Sequence, residues 1–298
     1  VQLDKTRIAI RERGLLEILD LALRVIRCYL RPLTVAWMVG VLPLMLLNYW
    51  LLAWMVDLPE YYGAEKFLYW LRYFAAMSAL VFFETPLATI PMTLYLGDAL
   101  FLQPTSPRAM ARTIGSLFLP LFFCLVLIRG VAVAVLLVFG IERYSRFSGN
   151  EGLLIPLLLY ALILRGLRPY LGEIILLEQN PLRAASKEAM TIGRRSTALH
   201  NPSTGDLMAR SIALAGVALV LTLSLVCSIW FVTAVFTNNW GFGPLMLHVG
   251  VPLSMWIVAG YLCVVRFLSY LDLRIRREGW EVELRMRAEA TRLARQLV

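Results

Sequence analysis

Histidine, cysteine and charge are all scarce in this chain. Its 298 residues include 2 His and 4 Cys, and Asp, Glu, Lys and Arg make up only 16%, against roughly 25% in ordinary soluble domains. A soluble fold of this size would lack the polar surface to face water. His200 and His248 are too few and too isolated to suggest a metal site, and Cys28, Cys124, Cys227 and Cys263 share no short spacing. The cysteines read as small apolar residues of helices. Also missing are a phosphate loop, paired histidines on a helix, a nucleophile elbow and a glycine-rich dinucleotide fingerprint. No extramembrane stretch is long enough for a soluble catalytic domain. We therefore expect no enzyme activity, no catalytic residue, no metal and no cofactor.

What is plentiful is apolar sequence, 59% of the chain. It falls in runs of about 20 residues, enough to cross a ~30 Å hydrocarbon core at ~1.5 Å per residue. The expected fold is all-α: a polytopic membrane protein with six transmembrane helices at about 33–56, 67–97, 114–139, 153–177, 207–236 and 245–267. An amphipathic interfacial helix (1–32) precedes this domain (33–267), 178–206 forms its longest cytosolic loop, and a helical tail (268–298) follows. Residues 1–31 carry charge throughout and do not read as a cleavable signal, so the first span is expected to direct insertion itself.

Between Glu12 and Arg31, apolar Leu15, Ile18, Leu19, Ala22, Leu23, Ile26 and Leu30 recur at helical spacing, opposed by Arg13, Glu17, Asp20, Arg24, Arg27 and Arg31. Such a face suits anionic headgroups or packing on the ends of the spans. Pro86 and Pro91 should kink or break the second span. A second amphipathic helix is expected from Pro181 to about His200, with Ser203 or Thr204 as N-cap of the fifth span. In the tail, pairs such as Asp272 with Arg276 and Arg274 with Glu278 stand at (i, i+4) spacing, giving a helix bent at Gly279. Most tryptophans fall towards span ends, as an interfacial belt would, with Trp37 near one face and Trp240 near the other.

Of the 29 Lys and Arg residues, only Lys66, Arg143 and Arg146 fall in loops that would face outward if the amino terminus is cytosolic. Arg72, Arg129, Arg165 and Arg168 lie within spans, and the rest are assigned to inward segments. That asymmetry follows the positive-inside rule and places both termini in the cytosol, most naturally at a bacterial inner membrane.

Charges inside spans carry the functional interest, because an ionisable group at mid-bilayer costs at least ~2.5 kcal/mol and needs a partner or a pathway. The cluster comprises Glu84, Arg129, Arg165, Arg168 and Glu173. Spans two and four run in the same direction, so Glu84 is expected to pair with Arg165 in preference to Arg129, fixing helix register. Alternatively these charges line a substrate path, since Pro86, Pro91 and Pro169 interrupt spans as in transporters. Arg168 can snorkel, leaving Glu173 and Glu178 to reach the basic loop. Arg24, Arg27, Arg31, Arg194 and Arg195 are the candidate contacts to lipid headgroups or a protein partner.

Gly14–Pro32 (GLLEILDLALRVIRCYLRP), the basic segment Pro181–His200 and Tyr270–Leu284 (YLDLRIRREGWEVEL), set in a six-span layout, resemble multipass bacterial membrane proteins related to the membrane domain of glycerophosphodiester phosphodiesterases. The resemblance implies a membrane accessory module and no reaction, because the catalytic barrel has no counterpart here. The expected function is a non-enzymatic membrane scaffold or accessory subunit, engaging membrane lipids, a protein partner or a second copy, without nucleic acid. The alternatives are a small transporter or channel with a polar midplane path and an intramembrane enzyme acting on lipid.

Overall fold

A computed structural model describes residues 13–56, 64–100, 106–142, 149–183 and 190–278, with backbone alone at 64–67. Among the described residues no strand occurs. Five helices are long and apolar enough to cross a membrane, or six if the bent pair Pro107–Ser116 and Phe118–Ile128 is one span. The chain is an all-α polytopic membrane protein.

Helix α1 (Leu15–Cys28) buries Ile18, Ala22 and Val25. They pack with Val264, Phe267 and Leu268 of α12 (Val251–Glu278). The two helices are antiparallel: the Arg13 N–H donates to Asp272 near one end, and the Tyr261 hydroxyl donates to the Leu19 carbonyl farther along. The amino-terminal helix is thus docked on the bundle through one face, while Leu16, Leu23, Arg24 and Arg27 on the other are exposed.

Helix α2 (Leu30–Val56) crosses the second span closely, because Gly40 leaves room for the Ala88 carbonyl that any Cβ would strike. That second span is α3 (Ala64–Ala88) and α4 (Ile90–Leu100). Its prolines do not sever it. Thr89 N–H bonds to Thr85 O and Thr93 N–H to Thr89 O, both at 3.0 Å, so one apolar helix continues from Leu68 to Leu100.

Spans three and four are the discontinuous ones. The expected helix over 114–139 is instead α5 (Pro107–Ser116), a bend of 65°, α6 (Phe118–Leu121), a π-turn (Phe122–Ile128) and α7 (Val131–Phe139). Gly130 stands at the second break with φ 78, a conformation glycine adopts without the Cβ penalty. The fourth span, α8 (Gly149–Leu167), stops ahead of Pro169. It resumes as α9 (Leu171–Glu173) and a π-turn (Ile174–Glu178).

Residues 181–183 are not helical, and the basic segment's helix is the shorter α10 (Ile192–His200), N-capped by Thr191. The rest of the expected helix, 184–189, lies outside the described residues. Helix α11 (Thr204–Thr237) follows. Ser203 occupies its N-cap without a capping bond because its Oγ accepts from Arg277 instead. Helix α12 runs unbroken past residue 267, with Asp272–Arg276 and Arg274–Glu278 pairs at 2.8 and 2.7 Å. Gly279 and the rest of the tail lie outside the described residues. So do Arg143 and Arg146, while Lys66 is described in its backbone alone.

Two tryptophans depart from the expected belt. Trp256 is completely buried, and Trp37 donates its indole N–H to the Trp256 carbonyl at 3.0 Å across α2 and α12. Trp230 and Trp240 pack edge to face, with Phe242 stacked on Trp230, around the turn after α11.

Candidate functional site: a buried arginine cluster

Breaking a helix frees carbonyls, and inside a membrane each needs a donor. At the Gly130 break the Ile128 carbonyl accepts from the Tyr160 hydroxyl of α8 at 3.1 Å. At the Pro169 break the Arg168 carbonyl accepts from Arg129 Nη2 at 3.1 Å. The two interruptions are therefore stitched together, and Arg129 is the stitch. Its side chain is only 3% exposed, and its Nε has no hydrogen-bond partner.

Arg165 lies one helical turn before the same break. It donates Nη2 to the Phe83 carbonyl at 3.2 Å and lays its guanidinium over the Phe82 ring at 3.8 Å. Pro86 has no N–H to offer the Phe82 carbonyl, which neighbours the Phe83 carbonyl that Arg165 reaches. The Nε of Arg165 is also buried and unpartnered.

The third arginine was not apparent from the sequence. Arg266 sits at the edge of the last apolar run and reads there as the start of the inward basic tail. In the structure α12 continues, and Arg266 turns into the bundle, placing Nε 2.5 Å from Glu173 Oε1 and Nη2 3.2 Å from Thr89 Oγ1. Glu173 is 0% exposed, and its other oxygen has no hydrogen-bond partner. Three guanidiniums thus converge on the space between Phe83–Thr89 of the second span and Arg165–Glu173 of the fourth, within electrostatic range of one another. Among the described residues, Glu173 is the carboxylate that answers them.

Glu84 does not belong to this cluster. The expected Glu84–Arg165 or Glu84–Arg129 pair is absent. Glu84 Oε2 instead accepts from Asn48 Nδ2 of the first span at 2.8 Å, and neither arginine pairs with it. Register explains the difference. Glu84 turns toward α2, while the backbone carbonyl one residue earlier faces α8. Asn48 is fully buried on that facing helix, a lone amide in an otherwise apolar run that could have flagged it. Arg72, nearer the Gly140–Gly149 end, pairs with Glu151 at 2.6 Å.

A second group of charges lies at the end of the bundle formed by α1, α10 and the last turns of α12. Asp272 Oδ2 takes Arg210 at 3.2 Å and Arg276 at 2.8 Å. Glu178 accepts from Arg195 Nε at 2.5 Å and from the Tyr270 hydroxyl at 2.7 Å. Arg195 also bonds Glu278. Burial alone would raise the Glu178 carboxyl, but Arg195, Tyr270 and Arg274 together hold it below the ordinary glutamate range. Arg195 is accordingly tied into this network, whereas Arg24, Arg27, Arg31 and Arg194 are exposed. Arg168 is half-buried, contributes its carbonyl to Arg129, and its neighbour Glu173 goes to Arg266 rather than to the basic loop.

Outside the cluster, Asn48 Oδ1, Glu84 Oε1, Trp230 Nε1 and Trp256 Nε1 are also buried without a hydrogen-bond partner, whereas His200 is satisfied locally. His200 Nδ1–H donates to Ser196 O at 2.7 Å and Nε2 accepts from Tyr170 N–H at 3.4 Å, which fixes the tautomer. Among the described residues no three His, Cys, Asp or Glu come together as a metal site. No family model matches the chain, and no curated protein or solved structure is significantly similar to it.

Proposed function

We propose that this chain is a small transporter or channel of the bacterial inner membrane, with both termini cytosolic, that takes an anion into a polar site midway along its spans. One observation carries the reading: Arg129, Arg165 and Arg266 are drawn together at two broken spans with Glu173 as their carboxylate. Buried cations this poorly matched are expensive, and they are kept where they meet a substrate. Discontinuous helices near mid-membrane are also how many transporters build such sites. Arg13 contacts Asp272 and Arg276, so both described ends of the chain lie at one end of the bundle. The excess of Lys and Arg there supports assigning it to the cytosol.

The purified full chain, reconstituted in liposomes, should accumulate at least one of labelled phosphate, sulfate, chloride or lactate. Arg165→Gln should abolish that flux. Leak no greater than that of empty liposomes for every anion would sink the reading.

A scaffold or accessory role is the second reading, supported by the ion-paired cytosolic end. There α1, α10, α11 and α12 are locked together while Arg27, Arg31 and Arg194 stay exposed. It requires that Arg27→Gln with Arg31→Gln weaken association with anionic vesicles or a partner while flux is untouched.

A further inference from the structure

We propose that the arginine cluster recognises a phosphoryl group carrying two negative charges, a deepening that rests on the anion-site reading above. Three guanidiniums set against one carboxylate leave an excess of two positive charges within the bundle, where Arg129 is buried and Arg165 and Arg266 are half-buried. A dianion balances that excess, whereas chloride, nitrate or a carboxylate leaves half of it. The donors also suit a tetrahedral oxyanion. Guanidinium forks bind phosphate oxygens in pairs, and these three arrive from three separate elements: the turn before α7, α8 and α12. Thr89, whose oxygen already accepts from Arg266, lies on a fourth.

The unpartnered atoms support the same conclusion. Buried polar atoms in folded proteins nearly always have a hydrogen-bond partner, and exceptions call for a specific cause. Among the described residues Arg129 Nε, Arg165 Nε and Glu173 Oε2 are such exceptions and fall in one cluster, while others, such as Glu84 Oε1, Asn48 Oδ1 and Trp256 Nε1, lie elsewhere. Arg129 is nine-tenths buried and more, so bulk water does not serve it. The Glu173 carboxylate behaves as a resident substitute for the ligand. It occupies Arg266 and leaves Arg129 and Arg165 to backbone carbonyls and an aromatic ring, which a dianion would outcompete.

A phosphoryl group could reach the cluster as the headgroup of a lipid or as a free solute. Arg165 and the Phe82 ring beneath it are both half-buried, and Leu162, one turn earlier on the same face of α8, is exposed, so this side of the cluster lies close to the surface of the bundle.

The test uses the purified full chain and two probes. Labelled inorganic phosphate is titrated in detergent with nitrate and acetate as competitors. Separately, the chain is placed in phosphatidylcholine bilayers with or without phosphatidic acid, and retained lipid is measured. Phosphate should bind, nitrate and acetate should compete poorly, and Arg129→Gln and Arg165→Gln should each weaken binding on the order of tenfold or more. Glu173→Gln should tighten it, since the competing carboxylate is gone. Arg165→Lys, which keeps the charge and loses the fork, guards against a folding defect and should fall between wild type and Arg165→Gln. Selective retention of phosphatidic acid identifies a lipid source, and binding of inorganic phosphate alone identifies a solute; both uphold the phosphoryl class. Nitrate or acetate binding as tightly as phosphate at the arginines overturns the phosphoryl class while leaving an anion site. Failure of every anion to bind overturns both.

Discussion

The molecule treats its arginines in two opposite ways. At the end of the bundle formed by α1, α10 and the last turns of α12, Arg195, Arg210, Arg274 and Arg276 meet Glu178, Asp272 and Glu278, and each acid there is held by more than one donor. Deeper in the bundle, Arg129, Arg165 and Arg266 have Glu173, and buried nitrogens go without partners. The chain clearly can neutralise arginine with carboxylate where the role is to tie helices together. In the bundle interior it leaves Arg165 and Arg129 bonded to backbone carbonyls instead, although Arg129 still ties the two broken spans together.

The sharpest break of that comparison lies within the cluster itself. Arg266→Ala leaves Glu173 buried without its cation, which costs about 3–5 kcal/mol, and should show as a lost or strongly lowered unfolding midpoint in detergent. Arg165→Leu removes a cation with no carboxylate of its own, so the midpoint should hold or rise. Equal losses from both would mean that the cluster is a structural network like the one around Asp272.

The next effect concerns the site the sequence misassigns. Asn48→Ala strips Glu84 of its amide donor and should cost about 1–3 kcal/mol, the penalty of an orphaned buried polar group. Asn48→Leu with Glu84→Leu should recover most of it. Charge reversal, Glu84→Arg with Arg165→Glu, should not rescue either single change, since these side chains do not touch. Rescue would restore the ion pair expected from the sequence.

How legible was this from residues alone? The membrane class and the helix at Leu15–Cys28 follow from apolar run length and periodicity, which record burial directly. The ionisable residues Glu84, Arg129, Arg165 and Glu173 stand out because charge in an apolar run is rare. Their partners do not. A helix rotates 100° per residue, so the choice between Asn48 and Arg165 for Glu84 turns on a register that hydropathy leaves open. Arg266 was hidden by a boundary: an arginine at the end of an apolar run reads as the inner flank until the helix is seen to continue to Glu278. Pro86 and Pro91 drew attention to the second span, yet the sharp interruptions sit at Leu117, Gly130 and Pro169. The outcome depends on which neighbours resatisfy the backbone.

A smaller and pH-dependent effect probes the network around Glu178 and Asp272. The native Glu178 carboxyl lies below its unfolded value, so its contribution is fully present above the unfolded glutamate pKa of about 4.3 and is lost as pH falls through the depressed native value. Unfolding midpoints followed downward from neutral pH should fall below about pH 4, and Glu178→Gln should lower the neutral midpoint and flatten that acid limb. An unchanged acid limb would remove Glu178 from the network.

The smallest effect is expected where arginine meets water. Arg24 and Asp20 form an (i, i+4) pair at 2.8 Å on α1 with side chains 74% and 61% exposed, and pairs of this kind contribute only about 0.3–0.5 kcal/mol. Arg24→Gln should therefore leave the unfolding midpoint within error, and raising salt should erase whatever difference remains. The α1–α12 contact rests on Ile18, Ala22 and Val25 and on the Arg13–Asp272 hydrogen bond, none of which includes Arg24. A loss comparable to that from Asn48→Ala would place Arg24 among residues that brace the fold. An intact midpoint with weaker retention of anionic lipid would instead set the exposed arginines of α1 apart from both buried groups, as a surface that meets headgroups without holding any helix in place.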